Sequence, residues 1–249
     1  MNEKAPAASI RNNLMSTVNI YEVAVKFGVS QFYFASTSAV YENNKVKPFK
    51  EDMETYPDLF YSYSKKMSEE YLQLRAAKKD GINTTVLHFF NVFGSGQNTL
   101  LLNPPLTGYL VDKMLKKDIV KLYNRTAIKR DYIHVRDILR IVLELFDLRQ
   151  YKGDKYESFN LCSGNSYSVP EIIGILEEVS GEKLEIKYGN PADIWSGHPA
   201  IFSKVSQDRI EKEVFKESLG SNAKLKEFLE GQSLFTDMRE GLEEMYNQR

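Results

Sequence analysis

The 249-residue sequence predicts an α/β protein built on parallel strands. Three observations predict it. Helical spacing alternates along the chain with short aromatic or β-branched runs. The alternation leaves room for a crossover helix between strands. Segments rich in hydroxyl, amide and glycine residues follow directly on several of the strands, which is where parallel sheets place their ligand loops.

The elements follow in order. Leu14, Val18, Tyr21 and Val25 give Asn13 to Phe27 an amphipathic face, and Gly28 is placed to stop the helix. Gln31 to Ala35 (QFYFA) reads as an aromatic strand, and polar residues with prolines mark a loop from Ser36 to Leu59. Tyr61 to Ala77 is a helix with Met67, Tyr71, Leu72 and Leu74 as its apolar positions, and Asn83 to Phe89 (NTTVLHF) is a β-branched strand. A helix over Thr107 to Leu115 and strands over Ile119 to Tyr123 and Asp131 to Val135 precede the strongly periodic helix Arg136 to Leu148. A strand at Ser158 to Leu161, a helix at Val169 to Val179 and a strand at Leu184 to Tyr188 come next, and charged helices close the chain, the last near Phe235 to Tyr246.

Composition excludes several classes. Lys plus Arg (33) nearly balances Asp plus Glu (34), so nothing points to nucleic acid or an anionic membrane as partner. No apolar run approaches the roughly 20 residues that span a bilayer, and the start lacks the layout of a signal peptide. The single cysteine, Cys162, has no intrachain disulfide partner, and His88, His134 and His198 lack metal-ligand spacing. A soluble cytoplasmic protein without a metal site is expected.

Four segments carry candidate chemistry. Tyr61 and Lys65 stand four apart and share one helix face. An ammonium beside a phenol stabilises the phenolate and lowers its pKa from about 10, so that it exchanges a proton with a substrate hydroxyl. Alone, this spacing also describes a surface helix bearing one aromatic. Ala35 to Tyr41 (ASTSAVY) puts hydroxyls at a strand end, either to hold a substrate oxygen or as a plain Ser/Thr turn. Phe89 to Gln97 (FFNVFGSGQ) offers an asparagine amide to a phosphate or ribose, or is an ordinary glycine-containing loop. Lys129 to Ile138 (KRDYIHVRDI) carries an arginine able to fork onto a phosphate or to pair with Asp131 or Asp137.

Taken jointly and in this order, the segments resemble the extended short-chain dehydrogenase/reductases, the nucleotide-sugar epimerase and dehydratase family. ASTSAVY resembles its strand-end Ser/Thr motif and FYSYSKKMSEEY its Tyr-Lys helix. LHFFNVFGSGQ is similar to R-F-x-N-x-Y-G-P-G-Q, and KRDYIHVRDI to R-D-Y/F-x-x-V-x-D. FNLCSGNSYSVPEI and Asn12 to Thr17 match two further family segments. The resemblance implies a partial Rossmann-like parallel sheet over 1–96. It implies a smaller α/β substrate-binding lobe mainly over 97–249, with some segments returning to the sheet.

The resemblance also implies roles. Tyr61 is the acid/base, Lys65 holds the nicotinamide ribose, and Thr37 binds the reacting oxygen. Asn12 and Phe90 line the NAD site together with those three. Ser38, Asn91, Arg130 and Asp193 face the substrate, Asn91 and Arg130 at its diphosphate. The implied reaction is NAD-dependent epimerisation of a nucleotide-linked sugar. Ser38-Ala39 stands where dehydratases carry an Asp-Glu pair, which disfavours dehydration; a reductase or synthase, or a catalytically silent sugar-nucleotide- or partner-binding remnant, stays open. His88 stands for the motif's arginine, Ser95 for its proline and Glu42 for a glycine. No glycine precedes Gly28, so the sequence has no G-x-x-G-x-x-G phosphate turn. The expectation is a chain short of one mononucleotide-binding half, with impaired activity and an exposed sheet edge covered by a homodimer or another partner.

Overall fold

The computed structural model describes residues 6–101, 104–123, 127–150, 152–190, 215–231 and 235–248. In chain order its elements are α1 (Pro6–Ser9), α2 (Ser16–Lys26), β1 (Gln31–Thr37), α3 (Phe60–Ala76), β2 (Asn83–Phe89), β3 (Asn91–Phe93), α4 (Leu106–Lys116), β4 (Val120–Leu122) and β5 (Lys129–His134). There follow α5 (Val135–Leu148), β6 (Tyr156–Leu161), β7 (Ser166–Ser168), α6 (Val169–Ser180), β8 (Ile186–Tyr188), α7 (Ala223–Phe228) and α8 (Met238–Asn247). The chain divides into two compact units. One comprises Met1–Phe90, Ile138–Gly164 and Leu219–Ser233; the other comprises Asn91–Asp137, Asn165–Ser218 and Leu234–Arg249.

The first unit is a parallel sheet in the order β1-β2-β6 with helices about it. Thr84 to His88 of β2 are buried without alternation, as befits a central parallel strand covered on both faces. On β1 the pattern alternates near its end: Phe34 and Ser36 are buried and Ala35 is exposed. A π-helical turn over Ile10–Met15 leads into α2. There the buried Tyr21 accepts the Ile82 N–H at 3.0 Å and packs with Phe34, Leu72, Ile82 and Val86. Arg149 is buried yet satisfied by neutral acceptors, reaching Thr85 Oγ1 at 3.0 Å, the Lys152 carbonyl at 2.9 Å and the Thr84 carbonyl at 3.3 Å. A buried cation needs that degree of hydrogen bonding to persist.

The second unit pairs β3 with β5 in parallel and β5 with β7 in antiparallel fashion, while β4 and β8 form a separate parallel ribbon. Its core gathers Phe93, Leu110, Met114, Tyr132, Ile172, Leu176, Leu242 and Met245 from helices α4, α6 and α8 and strands β3 and β5. Ser168 caps α6: it accepts the Glu171 N–H while Glu171 reaches back to the Ser168 N–H, and Gly181 ends the helix at φ +71°.

The α/β class and its parallel strands are as the sequence predicts. Two short strands, β3 and β7, differ from that expectation. The segment expected to be a loop after Phe89 contains strand β3, with only Phe90 between it and β2. Its three residues are too few to show an alternating pattern, and partnership with β5 is what makes them a strand.

Candidate active site

In the first unit, β1 delivers Thr37 at the carboxyl end of a parallel strand, beside the first turns of α3. Ser62 stabilises that helix start by accepting the Leu59 N–H at 3.2 Å. Tyr61 and Lys65 then fall one turn apart on the helix. The Thr37 side chain lies beside the Tyr61 phenol and favours its ionised form. Thr37 Oγ1 also accepts the Ala39 N–H at 3.2 Å, which fixes the short turn Ser38–Tyr41 that Ser38 opens. Lys65 Nζ donates to the Ala35 carbonyl at 2.8 Å and lies 4.6 Å from the centre of the Phe34 ring.

The electrostatics differ from the simple expectation of an ammonium that lowers its neighbour. Burial pushes the Tyr61 phenol above its ordinary range, opposed by the Thr37 side chain. Burial likewise depresses the Lys65 ammonium, opposed by the charge of Glu69. The ammonium is turned onto the Ala35 carbonyl, so the phenol is held protonated in this arrangement.

Asn12 is exposed on the π-helical turn. Its neighbour Asn13 makes the inward contact: Asn13 Nδ2 donates to Ser64 Oγ at 2.8 Å, and that hydroxyl donates to the Tyr61 carbonyl at 2.8 Å. Phe90 is buried in a cluster with Val40, Tyr41, Phe49 and Cys162.

In the second unit, Asn91 lies on β3 and Arg130 on the adjacent strand β5. Asn91 Nδ2 donates to the Asp131 carbonyl at 2.7 Å and to Ser218 Oγ at 3.3 Å, and Arg130 Nε donates to the Lys216 carbonyl at 3.1 Å. Both side chains thus reach the segment 216–218. Asp193 lies outside the described residues.

Sequence reasoning missed a buried polar row in the first unit. Ser36 of β1, His88 of β2 and Asn160 of β6 stand in lateral register and are 4%, 3% and 0% exposed. Glu69 of α3 accepts the Ser36 hydroxyl and lies 3.1 Å from His88 Nε2. Two signals pointed to it: a glutamate four residues beyond Lys65, and a histidine in place of the motif's arginine.

Thr37, Tyr61 and Lys65 fit the nicotinamide-ribose end of NAD: a hydroxyl, a phenol and an ammonium at the mouth of a parallel strand, in a half-buried setting that favours polar ligand contacts. No helix among the described residues is long and apolar enough to cross a membrane.

Residues 1–162 match the family described as NAD dependent epimerase/dehydratase. A UDP-glucose 4-epimerase of Corynebacterium glutamicum is 30% identical over 199 residues, 74% of this chain and 59% of that protein. The GDP-6-deoxy-D-talose 4-dehydrogenase of Aggregatibacter actinomycetemcomitans is 32% identical over 238 residues, 95% of this chain and 70% of that protein. The crystal structure of the Thermotoga maritima UDP-glucose 4-epimerase with UDP-glucose is 26% identical and covers 99% of this chain and 72% of its own, at a TM-score of 0.79. The chain therefore spans about three fifths of the length of the UDP-glucose 4-epimerase from Corynebacterium, 59%. With the sequence match over 1–162 and the Rossmann-type structural likeness in agreement, the chain belongs to the NAD dependent epimerase/dehydratase family of nucleotide-sugar enzymes.

Proposed function

We propose that these residues form the acid/base and sugar-nucleotide part of an NAD-dependent epimerase acting on a nucleotide-linked sugar. The observation that carries this reading is the Thr37 hydroxyl beside the Tyr61 phenol at the end of a parallel strand, with Lys65 one turn along the helix. NAD, when bound, supplies a hydride acceptor that later gives the hydride back. The chain's own residues do the rest. Thr37 and Tyr61 hold one sugar hydroxyl between them, and Tyr61 takes its proton as the carbon is oxidised. Rotation of the keto sugar presents its other face, and Tyr61 returns the proton on reduction. For Tyr61 to act as a base, Lys65 leaves the Ala35 carbonyl for the cofactor's ribose and brings its charge toward the phenol.

Asn91 and Arg130 serve the diphosphate in this reading. A phosphate oxygen would displace the longer of the two Asn91 contacts, the 3.3 Å bond to Ser218. Arg130 brings a guanidinium suited to a dianion. Ser38 and Ala39 supply neither the acid nor the base that eliminating water needs, so epimerisation is favoured over dehydration.

Calorimetric titration with UDP-glucose tests the substrate side of this reading. Arg130→Leu is expected to weaken binding by about tenfold or more, the scale of one charge-assisted phosphate contact. Equal affinity in the variant removes Arg130 from the site.

A further inference from the structure

In the second unit the ring of His134 is fully buried at the end of β5, where α5 begins. It is clamped on three sides. The Phe93 ring meets it edge-on, with centres 5.0 Å apart. A Cβ on Gly94 would lie 3.2 Å from its Nε2, and one on Gly241 of α8 would lie 3.0 Å from its Cδ2. Glycine at both positions lets backbone close on the ring and leaves it no room to turn.

With the ring fixed, its hydrogen bonds decide the neutral tautomer. Nδ1 accepts the Arg136 backbone N–H at 3.3 Å, and Arg136 Nε stands 3.5 Å from the same atom. Nδ1 therefore presents a lone pair, and the ring hydrogen belongs on Nε2. Nε2 has no hydrogen-bond partner among the described residues. Glu244 Oε1 of α8 stands 4.0 Å from it, out of hydrogen-bonding reach. Glu244 is held instead by Arg136, whose Nη2 lies 2.7 Å from its Oε2 and 3.1 Å from Glu240 Oε1. Arg136 thus serves two elements: its backbone N–H closes on His134 at the start of α5, and its guanidinium holds two carboxylates of α8.

We propose that His134 is a proton-operated latch for helix α8: neutral, it seats Arg136 on Glu240 and Glu244, and protonated, it expels Arg136 and releases the helix. The proton can add only at Nδ1, the atom that receives Arg136. Addition turns an acceptor into a donor that faces two donors, and it sets a cationic ring beside a guanidinium. Glu244 is then drawn toward the ring and away from Arg136. The charged groups about the ring are Arg136 and Asp137 from α5 and Glu240 and Glu244 from α8. The end of β3 brings Phe93 and Gly94, which carry no charge. Asp137 accepts the Thr236 N–H at 2.8 Å and the Thr236 hydroxyl at 3.1 Å. Burial depresses the His134 imidazolium, with Glu244 opposing that effect and Arg136 adding to it. A base depressed in the folded state contributes stability that is fully present above its unfolded value, about 6.5, and is lost as pH falls. The latch therefore opens on the acid side.

None of this involves Thr37, Tyr61 or a substrate, so the intact 249-residue chain serves for the test without turnover. Nitrogen-15 resonance of the histidine rings reads the tautomer, and amide hydrogen exchange reads the helix as a protection factor at each pH. Above neutrality His134 is expected to carry hydrogen on Nε2 alone. Below pH about 6.5, protection over Met238–Asn247 is expected to fall about tenfold per pH unit, the linkage of one proton, while that of β2 does not. His134→Asn keeps a side-chain acceptor at the helix start without titrating, and should hold α8 protection level across the same range. Should that variant misfold, Arg136→Gln, on a half-exposed side chain, removes the guanidinium and should leave α8 equally unprotected at both ends of the range. Hydrogen on Nδ1 above neutrality, protection that does not follow the His134 titration, or a fall that persists in the variant overturns the latch.

Discussion

Asn160 shows how much a single buried residue can hold. It is fully buried and joins the Phe49 loop, the Ser221 carbonyl and the Tyr41 turn through separate hydrogen bonds. Asn160→Ala removes three hydrogen bonds at once, at about 0.5–1.5 kcal/mol net each. The expected net loss is about 2–3 kcal/mol in urea unfolding, against a change within about 0.5 kcal/mol for Asn19→Ala on the exposed face of α2. Similar midpoints for the two variants would contradict the row. In the sequence only Glu69 and His88 hint at the row, and Asn160 does not. Ser36, His88 and Asn160 are far apart along the chain, and only lateral register between strands brings them together. Thr37, Tyr61 and Lys65, by contrast, lie in local motifs whose strand-end and helix-turn placement the sequence already implied. At Asn12-Asn13 the motif was visible, but a π-helical turn decides which of the two faces α3.

At the scale of elements, helices and central strands were the most legible, because periodicity and burial agree. The strand Asn83–Phe89 has the bounds its β-branched run predicts. Short strands such as β3 and β7 owe their existence to partners, so three residues of sequence do not announce them. Capping is legible and has a pH signature. In α6 the Glu171 carboxyl is held down to about 2, first by Lys129 at 2.6 Å and then by Ser168. A depressed carboxyl contributes stability that is fully present above its unfolded value, about 4.3, and is lost as pH falls toward the folded value. Both partners are about half exposed, so the Lys129 share is screened and small. Between pH 5 and 2, Glu171→Gln should flatten the acid side of the melting-temperature profile relative to the parent chain. Identical profiles would mean that the cap contributes nothing.

For the whole molecule the governing fact is a parallel strand at the end of the described sheet. β1 pairs with β2 on one side, and the unit that carries it exposes Phe27 (75%), Leu143 (67%) and Phe146 (50%). Parallel sheets are ordinarily covered, and bare edges associate. We therefore expect the 249 residues alone to self-associate and to bind NAD weakly, since the sequence offers no glycine-rich turn for the pyrophosphate. Sedimentation and NAD calorimetry check this together; a monomer with micromolar NAD affinity contradicts it.

The central claim is that Thr37, Tyr61 and Lys65 constitute the acid/base site of a nucleotide-sugar epimerase. The most direct measurement supplies what the sequence lacks. Residues 1–249 are joined to the part of the Thermotoga maritima epimerase that they do not cover, NAD binding is verified, and the conversion of UDP-glucose to UDP-galactose is followed by proton nuclear magnetic resonance. Turnover is predicted for the joined protein, with a loss of at least about a hundredfold in Tyr61→Phe, the contribution of a positioned acid/base group. A joined protein that binds NAD and UDP-glucose but turns over no faster than its Tyr61→Phe variant would contradict the account.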